Sequence, residues 1–235
     1  IAKKDNGDRL TCAQLEYHDA PGRVNADGTT AYPLRITSEE LGDVEGDELT
    51  ALVRDGRAVL WGAGKIEGPA PDDEPRDEVA AEGPPAGGLP EGFRIAWQER
   101  VELQLARDEG SARGLESARF YGDVRVRDPR FRMRGKELAV HFAEPEGQPR
   151  RALTSVEGAG DVRVESDQGV LEADDFHLQT AEREGRIAPQ KLIATGRVRL
   201  TDPTQQLKAD RLEATFAETP PPAEDHAGEE RGFDV

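Results

Sequence analysis

The sequence predicts an all-β fold that is built from repeated strand units. Gly122, Gly160 and Gly196 lie 38 and then 36 residues apart, and an alternating apolar run follows each glycine. Periods of this length are typical of repeat architectures. The apolar residues of each run recur at every second position, which indicates a half-buried strand and not a helix. Only 35% of the residues are hydrophobic, a content that suits thin sheets with one apolar face.

Each unit contains two runs, and the second run changes its phase in the middle. In QLKADRLEATF, Leu207 has the opposite parity to Leu212 and Phe216, so we predict a β-bulge or a sheet corner near Asp210. The other two units change phase at the matching point. The apolar residues of the three units are Val124, Val126, Met133, Leu138, Val140 and Phe142; Val162, Val164, Leu171, Phe176 and Leu178; and Val198, Leu200, Leu207, Leu212 and Phe216.

The N-terminal part contains weaker copies of the same unit. RLTCAQLEYH, residues 9–18, matches a second run, but no first run precedes it and the chain begins at Ile1 without methionine. We therefore expect a truncated first unit. AVLWGAGKIEG, residues 58–68, matches a first run if Gly64 takes the place of Gly160.

Residues 23–57 are harder to interpret. TTAYPLRIT, residues 29–37, is compatible with a strand. SEELGDVEGDELTALVRD, residues 38–55, has a helix start signal at Ser38, although Gly42 and Gly46 disfavour a helix. The sequence leaves both alternatives open.

Composition divides the chain into four segments. Residues 1–68 hold the partial repeats, and 93–218 hold the complete ones. Between them, residues 69–92 combine proline, glycine and acids with almost nothing apolar, which predicts a linker or a disordered loop. Residues 219–235 are again acidic and rich in proline, and we expect a mobile tail there.

The overall charge limits the classes of partner. A formal net charge of −17 argues against nucleic acid or an anionic membrane surface, because both need a basic footprint. No run approaches the roughly 20 apolar residues of a transmembrane helix. Against this acidic background one hairpin is basic, with Arg119, Arg125, Arg127, Arg130, Arg132, Arg134 and Lys136.

Two interpretations of the basic hairpin are open. In the first, it is a solvated outer face with cross-strand ion pairs. In the second, Arg125, Arg127, Arg132 and Arg134 contact the anionic groups of a ligand.

The sequence predicts neither catalysis nor a cofactor. His18, His141 and His177 fall at outward positions, and no metal-ligand spacing connects them. The carboxylates Glu172, Asp174, Asp175 and Asp210 offer a paired acid site as an alternative. Because aspartate recurs with the bulge, we favour a structural role in which its side chain bonds nearby backbone amides. We expect no catalytic residue, no metal site and no enzyme activity.

The repeated motifs resemble the LptA/OstA-like family of lipopolysaccharide transport proteins, of the type that includes LptA, LptC and the N-terminal domain of LptD. GDVRV, LEADDFHL and ATGRVRLTDPTQQLKADRLEATF carry the resemblance, which is good over residues 118–218 and partial over 7–18 and 58–68. Each motif by itself is short and degenerate, so the resemblance rests on the repetition of the motifs along the chain.

This resemblance implies a twisted β-jellyroll that is open at its ends. It implies a periplasmic location and a role in outer-membrane biogenesis. The protein would then be either free in the periplasm or anchored to the envelope through a missing segment. Lipopolysaccharide or a related lipid would lie between two sheets, against the sixteen apolar residues given above. Other Lpt-type jellyroll proteins would be partners through stacking of edge strands.

The alternative is a non-catalytic structural or adhesive β-repeat protein that binds other proteins through its sheet edges. An interior that is open at one seam would favour transport, and tight interdigitation of the apolar residues would favour the structural protein.

Overall fold

The computed structural model describes residues 2–3, 9–20, 22–38, 42–68, 92–108, 111–144, 152–183 and 186–216. Over these residues the regular structure is β, apart from one short 3-10 helix at Val53–Asp55. The prediction of an all-β fold is therefore confirmed. No helix within these ranges is long and apolar enough to cross a membrane.

The strands are β1 (Ala2–Lys3), β2 (Arg9–Thr11), β3 (Gln14–His18), β4 (Arg23–Asp27), β5 (Leu34–Ser38), β6 (Gly42–Gly46), β7 (Glu48–Leu52), β8 (Arg57–Trp61), β9 (Gly64–Glu67), β10 (Arg94–Trp97), β11 (Arg100–Asp108), β12 (Ser111–Asp128), β13 (Phe131–Ala143), β14 (Ala152–Ser166), β15 (Gly169–Arg183), β16 (Arg186–Thr201) and β17 (Gln206–Thr215).

All these strands belong to one antiparallel sheet, which curls into a half-barrel. From β11 to β17 each strand pairs with the next in the chain. The N-terminal strands join the same sheet, because β8 pairs with β11 and β9 pairs with β10. The strands on the two sides of segment 69–91 are therefore direct neighbours.

A line of register shifts, which we call the bend line, crosses the meander and divides each long strand in two. The shifts lie between Tyr121 and Val124, Arg134 and Glu137, Ala159 and Val162, Glu172 and Asp175, and Thr195 and Val198. We call the part that holds residues 111–121 of β12 the first limb, and the part that holds residues 124–128 the second limb. The phase changes predicted from the sequence are confirmed as these shifts.

At the bend line two residues of one strand oppose one residue of the next. Gly160 and Asp161 of β14 have φ of +74° and +55°, and together they oppose Asp174 of β15. The pair Gly196 and Arg197 of β16 has the same left-handed conformation. This is the arrangement of a β-bulge, in which glycine supplies the left-handed position and the strand bends.

Two apolar rows, one from each limb, line the inside of the curl. The first limb contributes Leu15, Ala26, Leu49, Leu60, Val101, Phe120, Leu138, Gly158, Phe176, Ala194 and Leu212 as successive cross-strand neighbours. The second limb contributes Leu10, Ile36, Val44, Ile66, Ile95, Val126, Met133, Val164, Leu171, Leu200 and Leu207. Side chains from both rows meet in one buried cluster.

Two details of the N-terminal part differ from the sequence interpretation. Residues 42–52 form strands β6 and β7 and no helix, because Val44 and Leu49 occupy positions in the two apolar rows. The glycine that matches Gly160 is Gly62, whose φ is +85°, and not Gly64, which lies within β9. The predictions for residues 69–91 and 219–235 concern segments outside the described residues.

Candidate functional site

The candidate lipid-binding surface is the inner face formed by the two apolar rows. Of the sixteen residues predicted to line it, eight are buried: Val124, Val126, Met133, Leu138, Val162, Leu171, Phe176 and Val198. Five more are half-buried and pack against these: Val140, Val164, Leu178, Leu200 and Leu212. Phe142 is half-buried, and Leu207 and Phe216 are exposed. The predicted residues therefore share one face, but their accessibility differs greatly along it.

The middle of the inner face is filled by its own side chains. Trp97 of β10 packs against Phe120 of β12 with ring centroids 5.5 Å apart. A Cβ added at Gly158 would meet Met133 of the other limb at 2.5 Å. These contacts connect the two limbs directly, so the centre of the curl has the packing of a protein core.

The ends of the inner face are open. Leu207 is 45% exposed and Phe216 is 40% exposed, and none of the described residues of β17 is buried. At the opposite end, Leu15 is 47% exposed and Tyr17 is 62% exposed. Within the described part of the chain, β17 pairs only with β16 and β3 only with β4. Apolar side chains and unpaired strand edges are therefore exposed together at both ends.

Sequence reasoning missed the N-terminal half of this face as a lining surface. Buried Leu34, Val44, Leu60, Ile66 and Val101 lie on it. These strands are short and their units are interrupted, so no full repeat could be aligned with them. The available signal was the period-2 alternation within each short strand.

Two of the four carboxylates considered for catalysis, Glu172 and Asp174, are bound in ion pairs on the outer face, whereas Asp175 and Asp210 form no ion pair with the described residues. Asp174 accepts hydrogen bonds from Arg197, with Nε 2.8 Å from Oδ1. The predicted bonds from Asp174 to backbone amides are not what the structure shows. Glu172 lies 2.5 Å from Arg163 and 3.5 Å from Arg199. These acids act as partners of arginines on adjacent strands.

Charged side chains of adjacent strands meet on the outer face along the bend line, and Asp161 lies between two of them. Its carboxylate lies 3.0 Å from Lys136 and 3.0 Å from Arg197. Hydrogen bonds from Lys136, and next from Arg197, hold the pKa of the Asp161 carboxyl below its usual value. The Asp161 carboxylate therefore connects a cation of β13 with a cation of β16.

The basic hairpin resolves into paired and unpaired cations. Arg130 pairs with Asp128 at 2.9 Å, and Lys136 pairs with Asp161. The four residues proposed for anionic contacts remain together on the outer face of the second limb, where Arg125 lies opposite Arg134 and Arg127 lies opposite Arg132. Between β12 and β13 the cross-strand neighbours are thus cations, whereas on the β14 side Arg132 lies opposite Glu165 and Arg134 lies opposite Arg163.

The three histidines do not form one cluster, although His141 and His177 line a common depression on the outer face. His18 lies 3.7 Å from Glu16, whereas His141 and His177 belong to β13 and β15, which β14 separates. In the described ranges no group of three or more His, Cys, Asp or Glu is arranged to hold a metal ion. A shallow depression of about 400 Å³ lies on the outer face of the first limb, where Glu137, Glu157 and Asp175 contribute to its lining.

Comparison of the chain with models of protein families, with curated proteins and with solved structures finds no match. The resemblance carried by the repeated motifs therefore stays a prediction.

Proposed function

We propose that the chain is a periplasmic, non-catalytic module that binds lipopolysaccharide or a related lipid and passes it along in outer-membrane biogenesis. The observation that supports this proposal best is the pair of apolar rows, which run across the whole sheet and end in exposed side chains at both edges. In this proposal the fold is a repeat-built, twisted β-jellyroll that is open at its ends.

The physical basis is the burial of acyl chains. Each methylene removed from water contributes about 0.8 kcal/mol, and the exposed Leu207 and Phe216 offer a surface on which such burial can begin. Deeper entry requires the limbs to move apart, because the central side chains interdigitate. Lipid would therefore enter at the open end and displace contacts between the limbs as it advances.

The partners in this proposal are proteins with matching strand edges. The unpaired side of β17 presents backbone donors and acceptors, to which another jellyroll protein of the Lpt type can add a strand. Such stacking would continue both apolar rows into the neighbouring protein. Lipid could then pass without meeting water.

Native mass spectrometry of the protein purified from its own envelope fraction tests lipid binding. The informative variant replaces Leu207 and Phe216 with aspartate, because both side chains are exposed and the fold should tolerate the change. The matched control replaces Tyr32 and Val53, which are 66% and 59% exposed and lie outside the apolar rows, with aspartate.

We expect a bound lipid in the wild type and in the control, and a loss of that lipid in the variant. Circular dichroism should show the same β signal in all three proteins. If the folded wild type carries no lipid and takes up none from added lipopolysaccharide, the transport proposal fails.

A second candidate, the structural or adhesive β-repeat protein, is favoured by the tight packing at the centre of the curl. The ring contact between Trp97 and Phe120 and the close approach of Met133 to Gly158 leave the limbs joined. This protein would bind others through the edges of β3 and β17. Absence of lipid together with capture of a second chain through β17 would support it.

A further inference from the structure

Five arginines form a continuous cluster on the outer face of the second limb. Arg125, Arg127, Arg132 and Arg134 occupy two adjacent strands, and Arg94 of β10 lies opposite Arg127. We call these five residues the arginine cluster. Cross-strand neighbours have Cβ atoms about 4.5–5.5 Å apart, so the guanidinium groups can converge on one ligand.

The cluster contains fewer ion pairs than the rest of this acidic protein. Arg94 pairs with Glu67 at 3.3 Å and Arg125 with Asp123 at 2.5 Å. Among the described residues, Arg127, Arg132 and Arg134 have no direct ion pair or side-chain hydrogen bond. All three side chains are exposed. Glu165 lies opposite Arg132, and its pKa is lowered first by Arg163 and also by the charges of Arg132 and Arg134.

Some other cations of the sheet each contact two acids. Arg163 contacts Glu165 at 2.6 Å as well as Glu172, and Lys65 contacts Glu67 at 2.8 Å and Glu45 at 3.3 Å. With 48 acidic residues and 31 basic ones, carboxylates are abundant in the chain. Cations that directly oppose each other destabilise a sheet. Repulsion among the five arginines is therefore a cost to the fold, which Glu165 and Asp123 offset only in part.

We propose that the arginine cluster binds a compact ligand that carries two or more phosphate groups. Guanidinium groups present planar pairs of donors that match phosphate oxygens, and every member of the cluster is arginine and none is lysine. A compact ligand suits the protein better than an extended anionic surface, because the net charge of −17 repels the latter. The arginine cluster lies on the outer face, whereas Val126 and Met133 lie on the inner face. The proposal of a phosphate site is therefore independent of whether the inner face binds acyl chains.

Calorimetric titration with sodium tripolyphosphate tests the site, and sedimentation with phosphatidylcholine vesicles, with and without phosphatidic acid, tests phosphate on a lipid headgroup. The variant is Arg132→Gln with Arg134→Gln. The matched control is Arg199→Gln with Lys208→Gln, a cross-strand cation pair of the same outer face that changes the net charge equally.

We expect the wild type to bind tripolyphosphate and the variant to bind it about tenfold or more weakly, because charge-assisted hydrogen bonds are lost. The control should stay within about twofold of the wild type, since its residues lie outside the cluster. The variant should melt at a temperature close to that of the wild type, because it loses repulsion among the arginines together with attraction to Glu165. Binding to phosphatidic acid vesicles but not to tripolyphosphate would overturn the compact ligand in favour of phosphate on a lipid headgroup.

The proposal is overturned if the wild type binds neither probe, or if the variant and the control lose equal affinity, which would mean general charge screening. Tighter binding of polyglutamate than of tripolyphosphate would also overturn it, in favour of an acidic protein partner.

Discussion

Arg197 and Asp174 join strands β16 and β15 across the bend line, with Arg197 Nε 2.8 Å from Asp174 Oδ1. Arg197 has a left-handed backbone, with φ of +47°, beside Gly196 with φ of +68°. The Asp174 side chain lies over Gly196 and occupies the space that a Cβ at this glycine would need. The bulge conformation and the ion pair therefore depend on the same glycine.

Replacing Gly196 with alanine should lower the free energy of unfolding by about 1–3 kcal/mol, because alanine is strained at this φ and its methyl group meets Asp174. Chemical denaturation measures this loss. The control is Gly135→Ala, where the nearest atoms to the new Cβ lie at 3.4 Å. That substitution should be neutral or stabilise the protein by about 0.4–1 kcal/mol. Equal effects at the two glycines would argue against the bulge geometry.

Truncating the inner face should cost much more at the centre of the sheet than at its edge. Leu138 is 2% exposed, so Leu138→Ala should reduce stability by about 2–5 kcal/mol. Leu207 is 45% exposed, and Leu207→Ala should cost less than about 1 kcal/mol. Urea denaturation of both variants checks the difference. A large loss for Leu207→Ala would indicate that the edge is covered in solution.

Trp97→Phe should change the free energy of unfolding by less than about 1.5 kcal/mol. Trp97 is 2% exposed, and its Nε1 is a buried donor without a partner among the described residues. Phenylalanine loses packing volume but removes this unsatisfied donor, which costs about 1–3 kcal/mol. Phe120→Ala, next to it, should cost about 3–5 kcal/mol. If Trp97→Phe proves as damaging as Phe120→Ala, the indole nitrogen has a partner in solution.

The turn between β16 and β17 should lose stability in acid. The side chain and backbone of Thr204 and the backbone of Gln205 donate hydrogen bonds to Asp202, which lowers its pKa to about 2. Since the pKa of an unfolded aspartate is about 3.9, this stabilisation is complete above that pH and is lost as the pH falls through about 2.

Urea denaturation at a series of pH values from about 6 to about 2, which covers both pKa values, tests the stabilisation by this turn. Asp202→Ala should remove part of the acid dependence. Asp210→Ala should leave it intact, because Asp210 accepts no hydrogen bond from the described residues. An unchanged acid dependence in Asp202→Ala would contradict the expectation.

Much of the fold follows from local pattern. The alternation of Val198 and Leu200 predicts a strand, and the phase change near Asp210 predicts a bulge, because side chains alternate strictly along a strand. Both are confirmed. The short N-terminal strands were less predictable, since Gly62 and Gly64 are both compatible with the motif and only backbone conformation distinguishes them.

The sequence by itself determined that the chain is β and which side chains share the inner face, because both depend on the parity of residues within single strands. The tertiary structure decided which of those side chains are buried. Phe176 is covered by neighbours on both sides, whereas among the described residues Leu207 has a neighbouring strand on only one side. It also decided that Arg130 and Lys136 form direct ion pairs, whereas Arg127, Arg132 and Arg134 form none with the described residues. Charge pairing depends on cross-strand register, which brings together residues that are distant along the chain.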